Sequence, residues 1–273
     1  MEQVYQNSPY ITDGRFEFGK NWTRFLKQIS DIKIQAARKS IAAKLDVSNL
    51  EGLSFLDVGC GSGLFSLAAH QLGAKVLSFD YDPYSVSCTQ ELRRRFAQGD
   101  AEWAINQGSV LDLNYLQSLG TFDVVYSWGV LHHTGAMWQA LENVISLVKP
   151  GGRLFIAIYN DAGSSTRRWQ KIKRLYNTAA PLRGPVLAAC GAYYATARVA
   201  SYIAHPGILF KPRKRERGMS VVTDFVDWVG GYPFEFATPE EIFKFYQKRG
   251  FCLTGLQTRL GNACNEFVMR RHG

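Results

Sequence analysis

Two carboxylates and a glycine-rich turn are the groups in this chain best placed to hold a small molecule. The stretch LDVGCGSG, Leu56–Gly63, passes from an apolar run straight into a helical pattern. Its glycines, Gly59, Gly61 and Gly63, permit a sharp turn and a close approach of backbone to a ligand. The spacing is GxGxG, not the GxGxxG that seats a pyrophosphate on a helix N-terminus, and Asp57 stands before the first glycine. An anion there repels a pyrophosphate and suits a ligand with a cationic amino group. Asp80, at the end of VLSFD, lies 23 residues beyond Asp57, where a strand-end carboxylate can accept both hydroxyls of a ribose. Asp82 is better suited to cap the helix that Pro83 opens.

The elements that must position these groups follow an alternating pattern. Strands are expected at Leu53–Val58, Lys75–Asp80, Ala101–Gln107, Phe122–Ser127, Arg153–Tyr159, Phe251–Gln257 and Asn265–Met269. Helices are expected at Leu64–Leu72, Pro83–Phe96, Met137–Val148 and Pro239–Lys248. The last carries a capping box, Thr238 with Glu241, and Pro239 at its first position. Such alternation predicts an α/β fold: a doubly wound, mostly parallel seven-stranded sheet closed by a C-terminal antiparallel hairpin around Gly261. Residues 1–50 form an N-terminal helical arm, with a helix over Asn21–Lys44. Residues 51–161 and 233–273 form the ligand-binding domain. Residues 162–232 are an inserted helical lid beside the carboxyl ends of the strands.

With these motifs placed, the chain resembles the class I, Rossmann-like S-adenosylmethionine-dependent methyltransferases, and more narrowly the branch that includes the ubiquinone-biosynthesis O-methyltransferases. The matching residues extend through GSVLD (Gly108–Asp112), FDVVYSWGVLHH (Phe122–His133) and LVKPGGRLFIAIYND (Leu147–Asp161). The resemblance implies S-adenosyl-L-methionine as donor, S-adenosyl-L-homocysteine as product, and no metal. It implies Asp57 and the backbone of Gly59, Cys60 and Gly61 for the methionine part, Asp80 with Tyr81 for the ribose, and the Ser109–Val110 turn for the adenine. Many relatives carry an acid at the position of Ser109, so the bond to the adenine amino group is left to backbone. Trp128 falls either beside the methionine part or in the strand-end core.

A base near the sulfonium would suit methylation at oxygen. His132 and His133 are the candidates, with the alternative that one of the pair is simply packed, and Asp161 is a further one. Asn160 and Asp161 follow the fifth strand as either acceptor contacts or a turn. FGKNWTRFL, Phe18–Leu26, resembles an arm that closes over the cofactor or is equally an amphipathic helix packed on the sheet edge, with Trp22 as a candidate substrate contact, and DFVDWVGGYPFEFATPEE offers Asp224 and Tyr232 as a pocket wall or a structural corner.

Composition narrows the setting. The chain has 273 residues, 46% hydrophobic and 20% charged, which argues against extensive disorder. Its five cysteines are scattered, with no zinc spacing, and the N-terminus lacks a signal-peptide core. A cytoplasmic enzyme is expected. The net charge of +9 is concentrated: residues 163–218 hold twelve Lys and Arg against the single acid Glu216. Three readings of that tract stand open: a solvated substrate lid, a peripheral contact with the inner membrane surface, or, least favoured, nucleic-acid binding. The functional expectation is methyl transfer to a small-molecule or lipid-like acceptor at oxygen. The alternatives are an inactive cofactor-binding module attached to a membrane or partner, and an RNA methyltransferase.

Overall fold

The structure, a computed structural model, describes residues 29–97, 102–204 and 221–273, together with Phe16 and Leu26. In chain order the elements are α1 (Asp31–Leu45), β1 (Ser54–Val58), α2 (Leu64–His70), β2 (Lys75–Asp80), α3 (Pro83–Phe96), β3 (Trp103–Gln107), α4 (Leu113–Leu119) and β4 (Phe122–Trp128). A 3-10 turn, Leu131–His133, leads to α5 (Met137–Asn143), a second 3-10 turn, Val144–Leu147, and β5 (Val148–Tyr159). Then come α6 (Ser164–Thr178), α7 (Arg183–Ala204), α8 (Val221–Gly230), α9 (Pro239–Gln247), β6 (Phe251–Gln257) and β7 (Cys264–Arg271).

The strands form one seven-stranded sheet in the order β3-β2-β1-β4-β5-β7-β6. β1 pairs in parallel with β2 and β4, and β7 is antiparallel to both β5 and β6. The order reverses beside β1, so the loops leaving β1 and β4 diverge and open a crevice at their carboxyl ends. β1 is apolar on both faces because both are covered. Phe55 packs with Leu67, Ala68 and α1's Ile41, while Leu56 and Val58 join Phe79, Val125, Leu141 and Ile156 on the other side.

Several boundaries depart from expectation for local reasons. The helix expected over Asn21–Lys44 is broken rather than continuous: Leu26 is helical, Ser30 is extended at φ −146° and ψ 159°, and α1 begins at Asp31, while residues 21–25, 27 and 28 lie outside the described set. Helix α4 was not anticipated: it has seven residues, started by the Asp112 carboxylate, which accepts from the Tyr115 amide at 3.1 Å. The helix expected over Met137–Val148 ends at Asn143, and β5 starts at Val148, ahead of Pro150. The apolar run Val144–Val148 fits helix and strand equally in sequence, and its pairing with Phe122 decides for strand at Val148. The two caps were legible: Asp82 accepts from the Tyr84 amide at 2.9 Å, and Thr238 and Glu241 close a reciprocal capping box.

Candidate active site

The turn after β1 is shaped by what lies above and below it. Gly59 has φ +77°, and a β-carbon there would stand 2.4 Å from a methyl of Val130, so neither the conformation nor the space admits a side chain. The amides of Gly59 and Cys60 both donate to the Phe79 carbonyl, at 2.8 and 3.1 Å, which ties the turn to the end of β2. Asp80 completes the tie: one carboxylate oxygen accepts from Gly61 N at 2.9 Å and the other from Asp82 N at 2.9 Å. Carboxylate oxygens each take more than one hydrogen bond. The same group can therefore hold the loop and receive two adjacent hydroxyls of a ligand.

Asp57 lies beneath the turn and is only 3% exposed. A buried chain of donors runs towards it: Trp103 Nε1 to Ser78 Oγ at 2.8 Å, Ser78 Oγ to Ser66 Oγ at 2.8 Å, and Ser66 Oγ to the Asp57 carboxylate. Burial pushes the Asp57 carboxyl up to about 7; the Ser66 hydroxyl pulls it down and the neighbouring Asp80 charge adds to the rise. Cys60 presents backbone alone, since its sulfur accepts from Thr89 Oγ1 at 3.3 Å and burial holds its thiol well above the usual range. Ser109 is buried, and its Oγ accepts from Leu111 N at 3.2 Å, leaving the hydroxyl proton as the group it can donate. The neighbouring Val110 carbonyl is taken by Asn143 Nδ2 at 2.9 Å. Tyr81 is half-buried, its carbonyl holding Gln107.

The edge of the site beyond β4 was only partly legible. Trp128 donates its indole N–H to Glu266 at 2.9 Å, and Glu266 pairs with Lys44 of α1 at 2.5 Å, so three distant segments fix one aromatic plane. Glu266 and Lys44 escaped the sequence reading because β7 carries no motif, although a single acid in an otherwise apolar strand pattern is a signal. The two histidines separate. His132 is wholly enclosed, its ring 4.1 Å from that of Tyr159. His133 Nδ1 lies 2.5 Å from the Pro233 carbonyl oxygen, which can only accept, so Nδ1 carries a proton and donates it there.

Asn160 and Asp161, at the end of β5, are both held by hydrogen bonds. Asn160 donates to the Gly261 carbonyl at 3.0 Å and accepts from Asn265 Nδ2 at 3.0 Å, clasping β5 to the β6–β7 turn. Asp161 accepts from Gly163 N at 2.7 Å and starts the lid helix α6, with Arg167 at 3.9 Å. Tyr232, half-buried and joined to Pro233 by a cis peptide, accepts through its carbonyl from Phe16 N at 3.0 Å. Trp22 and the side chain of Asp224 lie outside the described residues. In their place the lid contributes an aromatic wall around Tyr159. Phe234 lies 4.8 Å and Trp228 5.6 Å from it, with Trp169 and Tyr194 behind. The ammonium of buried Lys173 sits 4.1 Å from the Trp228 ring centre and 4.8 Å from that of Phe234. Glu235 on the same strip accepts from Met137 N at 3.0 Å, and burial raises its carboxyl. Among the described residues, no group of three or more His, Cys, Asp or Glu could hold a metal ion.

The chain is similar in sequence and fold to known proteins. Residues 56–156 match the family described as "Methyltransferase domain". The ubiquinone biosynthesis O-methyltransferase of Xanthomonas oryzae pv. oryzae is 34% identical over 120 residues, covering 44% of this chain and 47% of that protein. The protein of the same name from Colwellia psychrerythraea is 30% identical over 142 residues, covering 50% of this chain and 55% of its own length. The chain thus spans about half the length of the curated relatives it matches. Among solved structures, the magnesium protoporphyrin IX methyltransferase of Synechocystis with bound S-adenosylhomocysteine superposes with a TM-score of 0.55 at 18% identity, covering 93% of this chain and 94% of that one. The glycine turn, Asp80 and the reversed strand order all fall within the stretch, residues 56–156, that is similar to a methyltransferase domain, and the fold is the one seen in the methyltransferase structure with which the chain superposes.

Proposed function

We propose that this protein transfers the methyl group of S-adenosylmethionine to oxygen on a small-molecule or lipid-like acceptor. The observation that carries the donor half is Asp80, a carboxylate locked to the amides of Gly61 and Asp82 at the sheet's ligand edge. When bound, the donor supplies an electrophilic methyl group on a sulfonium. The chain's own part is to hold, orient and dry. Asp80 receives the ribose hydroxyls, the Gly59–Gly61 backbone and Asp57 bracket the methionine end, and Ser109 and Val110 border the adenine. Trp128, held by Glu266, and the Tyr159–Phe234–Trp228 wall keep water from the reacting atoms. His133, in its neutral form with the lone pair on Nε2, is the group suited to take the acceptor's proton.

Relatives named for ubiquinone biosynthesis and for magnesium protoporphyrin IX support an apolar, ring-bearing acceptor. The aromatic wall is chemically matched to one. The test is label transfer from methyl-tritiated S-adenosylmethionine to a panel of quinol, catechol and lipid-phase acceptors, followed by organic extraction. Labelled product is expected with wild type, and His133→Gln should lower turnover by about 100-fold or more with little change in cofactor affinity. Transfer that is unaffected by His133→Gln would remove the base from the account, and label appearing only in added RNA would replace the acceptor class.

A further inference from the structure

The helical layer inserted after β5 is chemically one-sided. Residues 162–204 contain seven Lys and Arg and neither Asp nor Glu. On α6, Thr166, Trp169, Lys173, Tyr176 and Asn177 are buried. Arg167, Arg168, Lys171 and Arg174 occupy exposed positions at three- and four-residue spacing, so one helix face is a row of cations. Helix α7 is different in kind. Over its 22 residues only Arg183 and Arg198 are charged, yet only Cys190 among its described side chains is fully buried. Tyr193 is 57%, Val199 57% and Ile203 76% exposed. Single exposed apolar side chains are ordinary, whereas a helix that leaves several uncovered marks an interaction surface. No helix among the described residues is long and apolar enough to cross a membrane, so α7 can meet lipid only along its length.

We propose that α6 and α7 dock this domain on an anionic lipid bilayer, with the α6 cations at headgroup phosphates and Val199 and Ile203 among the upper acyl carbons. Charge selects this occupant over the others. A second copy of the chain would set one acid-free face against another, cation to cation. A nucleic acid would satisfy the cations but leave the apolar side chains of α7 uncovered. A bilayer with anionic headgroups satisfies both at once. The inference rests on the lipid-like acceptor proposed above and extends it: α6 leaves the carboxyl end of β5, and its Trp169 packs on Trp228, which packs on Tyr159. Docking the lid would therefore face the aromatic wall towards acceptors dissolved in the membrane.

Flotation of the full chain with vesicles tests this, comparing phosphatidylcholine alone with equal parts phosphatidylcholine and phosphatidylglycerol. Wild type should float with the anionic vesicles at least about tenfold better than with the neutral ones, and salt should weaken the binding. V199S/I203S and R167Q/R168Q/K171Q, all at exposed positions, should each lower anionic partition by about tenfold. Titration with S-adenosylhomocysteine, run beside it, should give wild-type affinity in both variants and shows that they are folded. Equal partition into both vesicle types, no partition, or variants that float like wild type would overturn the proposal, as would self-association abolished by V199S/I203S. S-adenosylhomocysteine binding without vesicle binding defeats the docking alone; vesicle binding without S-adenosylhomocysteine binding defeats the methyl-donor reading alone.

Discussion

Asp57 ends a buried line of donors from Trp103 through Ser78 and Ser66, and every proton in that line points towards it. Hydrogen bonding alone would keep such a carboxyl ionised, yet enclosure prevails and sets it at about 7. The folded value lies above the unfolded one, 3.8. The stability this group contributes is therefore full at acid pH and is lost as pH rises from about 4 to about 7. The ligand-free protein should lose melting temperature over that window, and Asp57→Asn should lose less. A ligand with a cationic amino group reverses the preference, because it favours the ionised carboxylate. Affinity for S-adenosylhomocysteine should fall by about tenfold between about pH 8 and about pH 6. Titrations that are flat across that range would detach Asp57 from the ligand. Sequence identified the residue and its neighbouring charge Asp80, but its pKa is set first by burial and then by Ser66, which follow from packing and carry no motif.

The β1–α2 turn is legible as an element because glycine spacing is a backbone constraint written in residue types. The contact that enforces it, Gly59 under Val130, is not, since it joins two turns that the chain separates by seventy-one residues. Gly59→Ala should weaken S-adenosylhomocysteine binding by more than about tenfold and lower the melting temperature, because φ +77° and a 2.4 Å approach both oppose a β-carbon. Adding Val130→Ala relieves the clash but not the dihedral, so it should restore only part of the loss; full restoration would show that the turn tolerates alanine. The same division explains the rest of the fold. The N-cap at Asp82, the capping box at Thr238, the alternating strands and the hairpin were readable from local chemistry, whereas the end of α5 and the start of β5 depended on pairing across the sheet. Asn160 and Asp161 sit at the expected edge, but sequence could not show that the clasp to Gly261 and Asn265 and the start of α6 occupy their side chains.

At the scale of the molecule, the proposed site gathers at one edge of the sheet while the lid carries the excess of positive over negative charge. The donor side is built from contiguous motifs on β1, β2 and the turn after β3. The acceptor side is assembled from β5, the lid and the strip before α9, so the donor was the more readable half. The measurement that tests the central claim most directly is calorimetric titration of wild type and Asp80→Ala with S-adenosylmethionine and S-adenosylhomocysteine, with NADH as control. Wild type should bind the first two at about micromolar affinity and ignore NADH, and Asp80→Ala should bind them at least about tenfold more weakly, having lost hydrogen bonds to a charged acceptor. Equal affinity in the two proteins, or preference for NADH, would contradict it.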